Sequence, residues 1–186
     1  MAPGPPLSKV SLKPYFDSTD IQVAINFAID YAVTSGYPPT YWALLDSPEE
    51  YSSSCCAKYL TDPKIYKLIP YARRCNFEHI SNLVTFDYKP TNNTSTITKN
   101  LWDVPIIGPN STFSFTLAYL LHMQYSVTII GTTFKTRPMN YYNTVKPLNE
   151  SELYQRQKVY DLSRFSVDYW KSYAESKNLT IEIVKE

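Results

Sequence analysis

The chain has 186 residues, 44% of them hydrophobic, with 17 Tyr but only 4 Gly, and its 18 basic and 17 acidic side chains nearly cancel. That length suits one domain with room for a buried core, and the apolar and aromatic content excludes a chain too polar to fold. Four glycines, with no G-x-G-x-x-G or G-x-x-x-x-G-K-[ST] run, set aside the nucleotide enzymes whose phosphate loops depend on glycine backbone.

Residues 1–19 contain Pro3, Pro5, Pro6 and Pro14 and show no apolar period, so they are expected to form an extended Pro-rich arm ahead of a single α+β domain over residues 20–186. The opening Met1-Ala2-Pro3-Gly4 lacks the basic-then-apolar pattern of a secretory leader, which favours an intracellular or virion setting. Gln22, Asn26 and Asp30 recur at i+4 in an otherwise apolar stretch, predicting a buried helix over residues 20–35 with Gly36 as its stop. Ser47-Pro48-Glu49-Glu50 supplies an N-cap, a first-turn Pro and early acids, predicting a second helix to Leu60. Asp62-Pro63 predicts a third, broken near Pro70.

From Asn82 the period changes to two. Val84, Phe86 and Tyr88 share one strand face, and a turn over residues 90–93 leads to an edge strand over residues 94–99. Phe113, Phe115, Leu117, Tyr119 and Leu121 alternate with small residues, and Tyr125, Val127 and Ile129 repeat the pattern. A hairpin through His122-Met123-Gln124 is therefore expected. Residues 151–177 predict a helix about 40 Å long, with Leu153, Tyr160, Val167, Trp170 and Ala174 on one stripe, followed by a strand over residues 179–184. Taken together, the order predicts an α+β fold: a mostly antiparallel sheet of about five strands, covered by N-terminal helices and one long C-terminal helix. No window of about 20 apolar residues suits a bilayer span.

Catalytic patterns are sparse. His79 and His122 are the two histidines, with neither a Gly-x-Ser-x-Gly elbow nor a His-Glu-x-x-His helix around them. Cys55, Cys56, Cys75 and His79 are ligand types zinc accepts, yet adjacent cysteines on a helix point about 100° apart. Small, partly buried thiols are the competing explanation, so neither metal nor cofactor is expected. Asp87-Tyr88-Lys89 resembles the acid-and-lysine pair of divalent-metal nucleases, with Asp62 or Glu78 as the required second acid, against a plain solvated strand end. Asn92, Asn93, Asn110, Asn149 and Asn178 begin Asn-x-Ser/Thr sequons, whose meaning depends on compartment.

Charge is unevenly spread. Residues 1–57 hold 6 acids and 2 bases, residues 58–147 hold 4 acids and 10 bases, and residues 148–186 hold 7 acids and 6 bases. In the basic centre, Lys64, Tyr66, Lys67, Tyr71, Arg73 and Arg74 interleave cations with rings, as do Arg137, Tyr141 and Tyr142 further on. These nine residues are the candidate partner-binding set, because Tyr and Arg are enriched at protein interfaces. The expected function is a non-catalytic structural or interaction protein, one subunit of a larger assembly such as a virion or organellar complex, contacting other protein subunits or copies of itself. Nucleic acid is the alternative partner, since cations beside stacking rings suit single strands. A divalent-metal nuclease is the third reading.

Overall fold

The computed structural model describes residues 1–52, 54–93, 106–132, 134–135 and 147–184. A 3-10 turn over Pro5–Lys9 and helix α1 (Lys13–Ser18) precede strand β1 (Val23–Ile25), helix α2 (Ala28–Thr34) and strand β2 (Tyr41–Ala43). Helices α3 (Pro48–Ser52) and α4 (Ala57–Leu60) lead to β3 (Tyr66–Pro70), and a 3-10 helix over Tyr71–Phe77 leads to β4 (Leu83–Phe86) and β5 (Tyr88–Thr91). Strand β6 (Ile106–Pro109), helix α5 (Thr112–His122), β7 (Val127–Ile129), helix α6 (Glu150–Ser176) and β8 (Ile181–Ile183) follow.

The expected antiparallel sheet is not what forms. Strands β1 to β4 make a four-stranded sheet in chain order, β5 pairs with β6 and β7 with β8, and every pairing is parallel. Parallel strands need crossover segments between them, and α2, the α3–α4 pair and the 3-10 helix at Tyr71–Phe77 fill that role. Alternate residues of each strand then enter two separate cores. Ala24, Trp42, Leu44 and Ile69 pack with Ala28, Ile29, Tyr51, Tyr59 and Phe77 on one face. Val23, Ile25, Ala43 and Leu68 pack with Phe115, Leu117, Leu121, Val167 and Trp170 of α5 and α6 on the other. The sheet is thus covered on both sides, as parallel sheets require.

Four local expectations change with the topology. Residues 23–25, expected as helix, are a strand, because β-branched Val23 and Ile25 fit the sheet and Asn26 then turns the chain at φ 48°. Residues 66–70, also expected as helix, are β3, with Pro70 at the strand end where its missing N–H costs little. Residues 112–122, expected as the strongest strand, are helix α5. Its Ser111 hydroxyl accepts the Ser114 N–H as an N-cap, and the helix is buried on nearly every side. The hairpin at 122–124 is consequently a helix end, closed by Gln124 at φ 64°. The edge strand expected over residues 94–99 lies outside the described residues.

The C-terminal helix forms close to its expected bounds. Asn149 and Glu152 make a reciprocal capping box, with Asn149 Oδ1 accepting from the Glu152 N–H at 2.9 Å and Glu152 Oε2 accepting from the Asn149 N–H at 2.8 Å. Ser163, Ser166, Val167, Trp170 and Ala174 form its buried stripe. Where α5 meets α6 the contact is made by hydroxyls: Ser114 Oγ and Ser166 Oγ lie 2.7 Å apart, and Ser111 Oγ and Ser163 Oγ 3.4 Å apart. Small side chains bring the two helices close while leaving these buried polar atoms paired.

Residues 1–19 carry helical turns in place of an extended arm. Leu7 and Leu12 are buried in the first core, each such burial being worth about 1.5–3 kcal/mol. Ahead of them, Met1 and Ala2 join two sheets. The Ile25 N–H donates to Met1 O at 3.0 Å, the Met1 amine donates to Val23 O at 2.6 Å, and the Ala2 N–H donates to Ile130 O at 2.9 Å. This two-residue bridge sits between β1 and the end of β7. Gly131 closes over it at φ +84°, where an added Cβ would strike the Ala2 carbonyl and the Leu7 side chain. Gly131→Ala is expected to cost about 2–4 kcal/mol, from left-handed strain plus overpacking, while Gly36→Ala, at the same φ with open space around it, costs only about 1 kcal/mol. Urea unfolding of both variants checks this, and equal losses would refute the role given to the bridge.

Candidate functional site

Beside the Met1–Ala2 bridge lies a cleft of about 450 Å³, the volume of a small ligand site. Its walls come from both cores. Leu12 and Phe16 stand on the α1 side and Phe113, Leu117 and Leu120 on the α5 side, with Val23, Ile25, Val127 and Ile130 of the strands between them. Asp20, Gln22, Gln124, Tyr125 and Ser126 make a polar rim. Several rim groups are already held in place. Gln22 Nε2 donates to Thr19 O at 2.8 Å, its Oε1 accepts from Thr40 Oγ1 at 3.3 Å, and Ser126 Oγ accepts the Thr180 N–H at 3.0 Å.

The cleft opens at the amino ends of β1 and β7, since Ile21, Gln22, Tyr125 and Ser126 lead into those strands. Open parallel sheets usually bind ligands at the carboxyl ends. Here the carboxyl ends of β1 and β2 are closed by a hydrogen-bonded knot: buried Trp42 donates Nε1–H to Asn26 O at 2.7 Å, and Tyr51 OH bonds Asn26 Oδ1 at 3.0 Å.

The cationic and aromatic candidates do not form one patch. Lys64 and Tyr66 are exposed at the amino end of β3, whereas Tyr71, Arg73 and Arg74 are exposed beyond its carboxyl end. Five strand residues separate the groups by about 16 Å. Lys67 between them is fully buried, its Nζ donating to Asp62 O at 2.6 Å, and burial lowers its pKa against the opposing pull of Asp62. It serves the fold and offers nothing to a partner. Arg137, Tyr141 and Tyr142 lie outside the described residues.

Tyr41, half-buried, links exposed Tyr66 to the interior, with ring centroids 5.7 Å from Tyr66 and 6.3 Å from Tyr119. Behind Tyr119, Phe86, Trp170 and Tyr173 surround His122: Tyr173 stacks on the imidazole at 5.4 Å and 6°, Trp170 meets it edge-on at 5.8 Å, and Phe86 lies at 5.8 Å. His122 Nδ1 lies 3.1 Å from Ala118 O. Such an enclosure makes this histidine a packing residue of the second core.

Cys55 is exposed and Cys56 buried, with Sγ atoms 4.0 Å apart, and burial pushes the Cys56 thiol up to about 12. Among the described residues no group of three His, Cys, Asp or Glu side chains is placed to hold a metal ion, around these cysteines or around Asp87. No helix among them is long and apolar enough to cross a membrane. No protein-family model, curated protein or solved structure matches the chain.

The cleft is what residue reading missed, because it is made by bringing residues 12–25 and 113–130 together across the sheet. The one local signal was the alternating β-branched run Ile21, Val23 and Ile25, which was outweighed by the i+4 recurrence of Gln22, Asn26 and Asp30 across the same stretch. For His122, burial holds the folded-state pKa below the ordinary 6.5, with nearby Lys177 adding to the effect and the Ala118 carbonyl opposing it. Its contribution to stability is therefore full above that value and is lost as pH falls through the folded-state pKa. Stability should drop between pH 7 and pH 5 more in the wild type than in His122→Gln, and identical pH slopes of the urea midpoint would contradict the assignment.

Proposed function

We propose that this chain is a non-catalytic interaction protein, a subunit that contacts other protein subunits, copies of itself included, within a larger assembly such as a virion or organellar complex. The observation that carries the proposal is the cleft at the β1–β7 junction, which combines an apolar interior, a polar rim and walls drawn from both cores. An apolar centre with a polar margin is the general anatomy of protein contact sites. Leu120→Trp is expected to fill the cleft and abolish association while leaving the circular dichroism spectrum unchanged. Native mass spectrometry of the purified protein and of source extracts measures this, and a lone monomer in both would end the proposal.

The nucleic-acid reading keeps one specific support, the exposed trio Tyr71, Arg73 and Arg74, with Tyr71 56% exposed. If it holds, Arg73→Glu together with Arg74→Glu weakens single-strand binding by about tenfold or more and flattens its salt dependence. Binding that is absent or insensitive to salt would eliminate it. The nuclease reading gains no comparable support.

A further inference from the structure

We infer that the cleft takes an extended polypeptide segment, which adds as a strand parallel to β1 and β7 in line with the bridge formed by Met1 and Ala2. This rests on the reading of the cleft as a protein contact site and specifies what enters it.

The bridge shows the geometry. Met1 pairs with β1 in parallel register opposite Ala24, bonding Val23 O and the Ile25 N–H, while Ala2 turns to the other side and bonds Ile130 O. One residue serves one neighbour and the next serves the other, as in any strand between two others. Continuing the same line towards the cleft mouth, the next pair of groups is Thr128 C=O and Ile130 N–H, and the pair after that is Ile21 C=O and Val23 N–H. Their direction follows from their neighbours. Val127 and Ile129 are turned towards β8, through Val127 N–H to Thr180 O at 2.8 Å and Val184 N–H to Ile129 O at 2.9 Å, so Thr128 and Ile130 face the cleft. Gln22 is turned towards β2, its carbonyl accepting from the Tyr41 N–H at 3.0 Å, so Ile21 and Val23 face the cleft. All four residues line it, and these four backbone groups have no hydrogen-bond partner among the described residues.

A small apolar molecule would fill the volume and leave four polar groups covered without partners. An extended segment pairs all four with its own backbone. Successive side chains of such a segment would point alternately towards Leu12 and Phe16 and towards Phe113, Leu117 and Leu120, so uncharged, apolar residues suit its inner positions.

The test extends the full chain at its amino end with the probe Thr-Val-Thr-Val, joined directly to Met1, and follows amide hydrogen exchange by NMR. The Val23 and Ile130 amides are expected to exchange about tenfold or more slowly than in the parent chain. A second extension, Thr-Val-Thr-Pro, removes the N–H aimed at Thr128 C=O and should protect both amides less. Unchanged exchange at Val23 and Ile130 with the first probe, or equal protection by both, overturns the inference. The two proposals fail separately: loss of association in Leu120→Trp without amide protection removes the strand and keeps the contact site, whereas protection in a protein that remains a lone monomer does the reverse.

Discussion

The constraint on which the rest depends is that every described strand pairing is parallel, so the strands of the main sheet are covered on two faces, β1 to β3 deeply and the edge strand β4 in part. A strand of three to five residues can meet that demand only by sending successive side chains into different cores. Trp42 and Ala43 do this in β2, and Leu68 and Ile69 in β3. Even Lys67 is drawn in, its Nζ donating to the Asp62 carbonyl. The same demand explains why α5 is buried almost all round and joined to α6 through hydroxyl pairs: it lies between the sheet and the last helix, with Phe113 and Leu120 only partly covered where they line the cleft.

Strands so short leave the junction between β1 and β7 in need of something to span it, and Met1 and Ala2 do so at its inner end. Gly131 is glycine because the bridge passes against it. The cleft is the outer continuation of that junction, so its shape follows from the fold's connectivity: strands β1 to β4 add in chain order on one side, and β7 and β8 lie on the other. Its position at amino ends differs from the carboxyl-end crevice of most open parallel sheets. The Asn26–Trp42–Tyr51 knot accounts for the difference by filling the other end of β1 and β2.

What could be read from residues was what depends on neighbours in the chain. The long helix α6 was legible because Asn149 and Glu152 cap it locally and its stripe repeats every three to four residues. Strands β7 and β8 were legible as elements, though their partners were not, since pairing direction is set by connections and leaves no mark on a three-residue strand. Helix α5 was misread for a physical reason. A helix buried on all sides needs no polar face, so the chance alternation of Phe113, Phe115 and Leu117 with Ser114 and Thr116 imitated a strand. Its length beyond ten residues and the Ser111 cap were the contrary signals. In β1, Gln22 and Asn26 sat four apart like a helix stripe, but Asn26 is there to leave the strand through a left-handed turn.

The same separation of local from long-range information bears on the basic centre of the chain. Counting charges treats Lys58, Lys64, Lys67, Arg73 and Arg74 as one surface, but the fold disperses them. Lys67 is buried, Lys58 reaches Asp30 of the acidic N-terminal third at 4.0 Å, and Lys64 is a strand's length from the two arginines. The cleft, by contrast, is lined by no Lys or Arg among its residues and carries Asp20 at its rim. A phosphate backbone would find no Lys or Arg side chain there, while a neutral polypeptide would meet apolar walls and open backbone groups. The cleft proposed for protein contact and the exposed Tyr71, Arg73 and Arg74 are therefore separate surfaces of this molecule, and of the two, the one the sheet itself builds is the cleft.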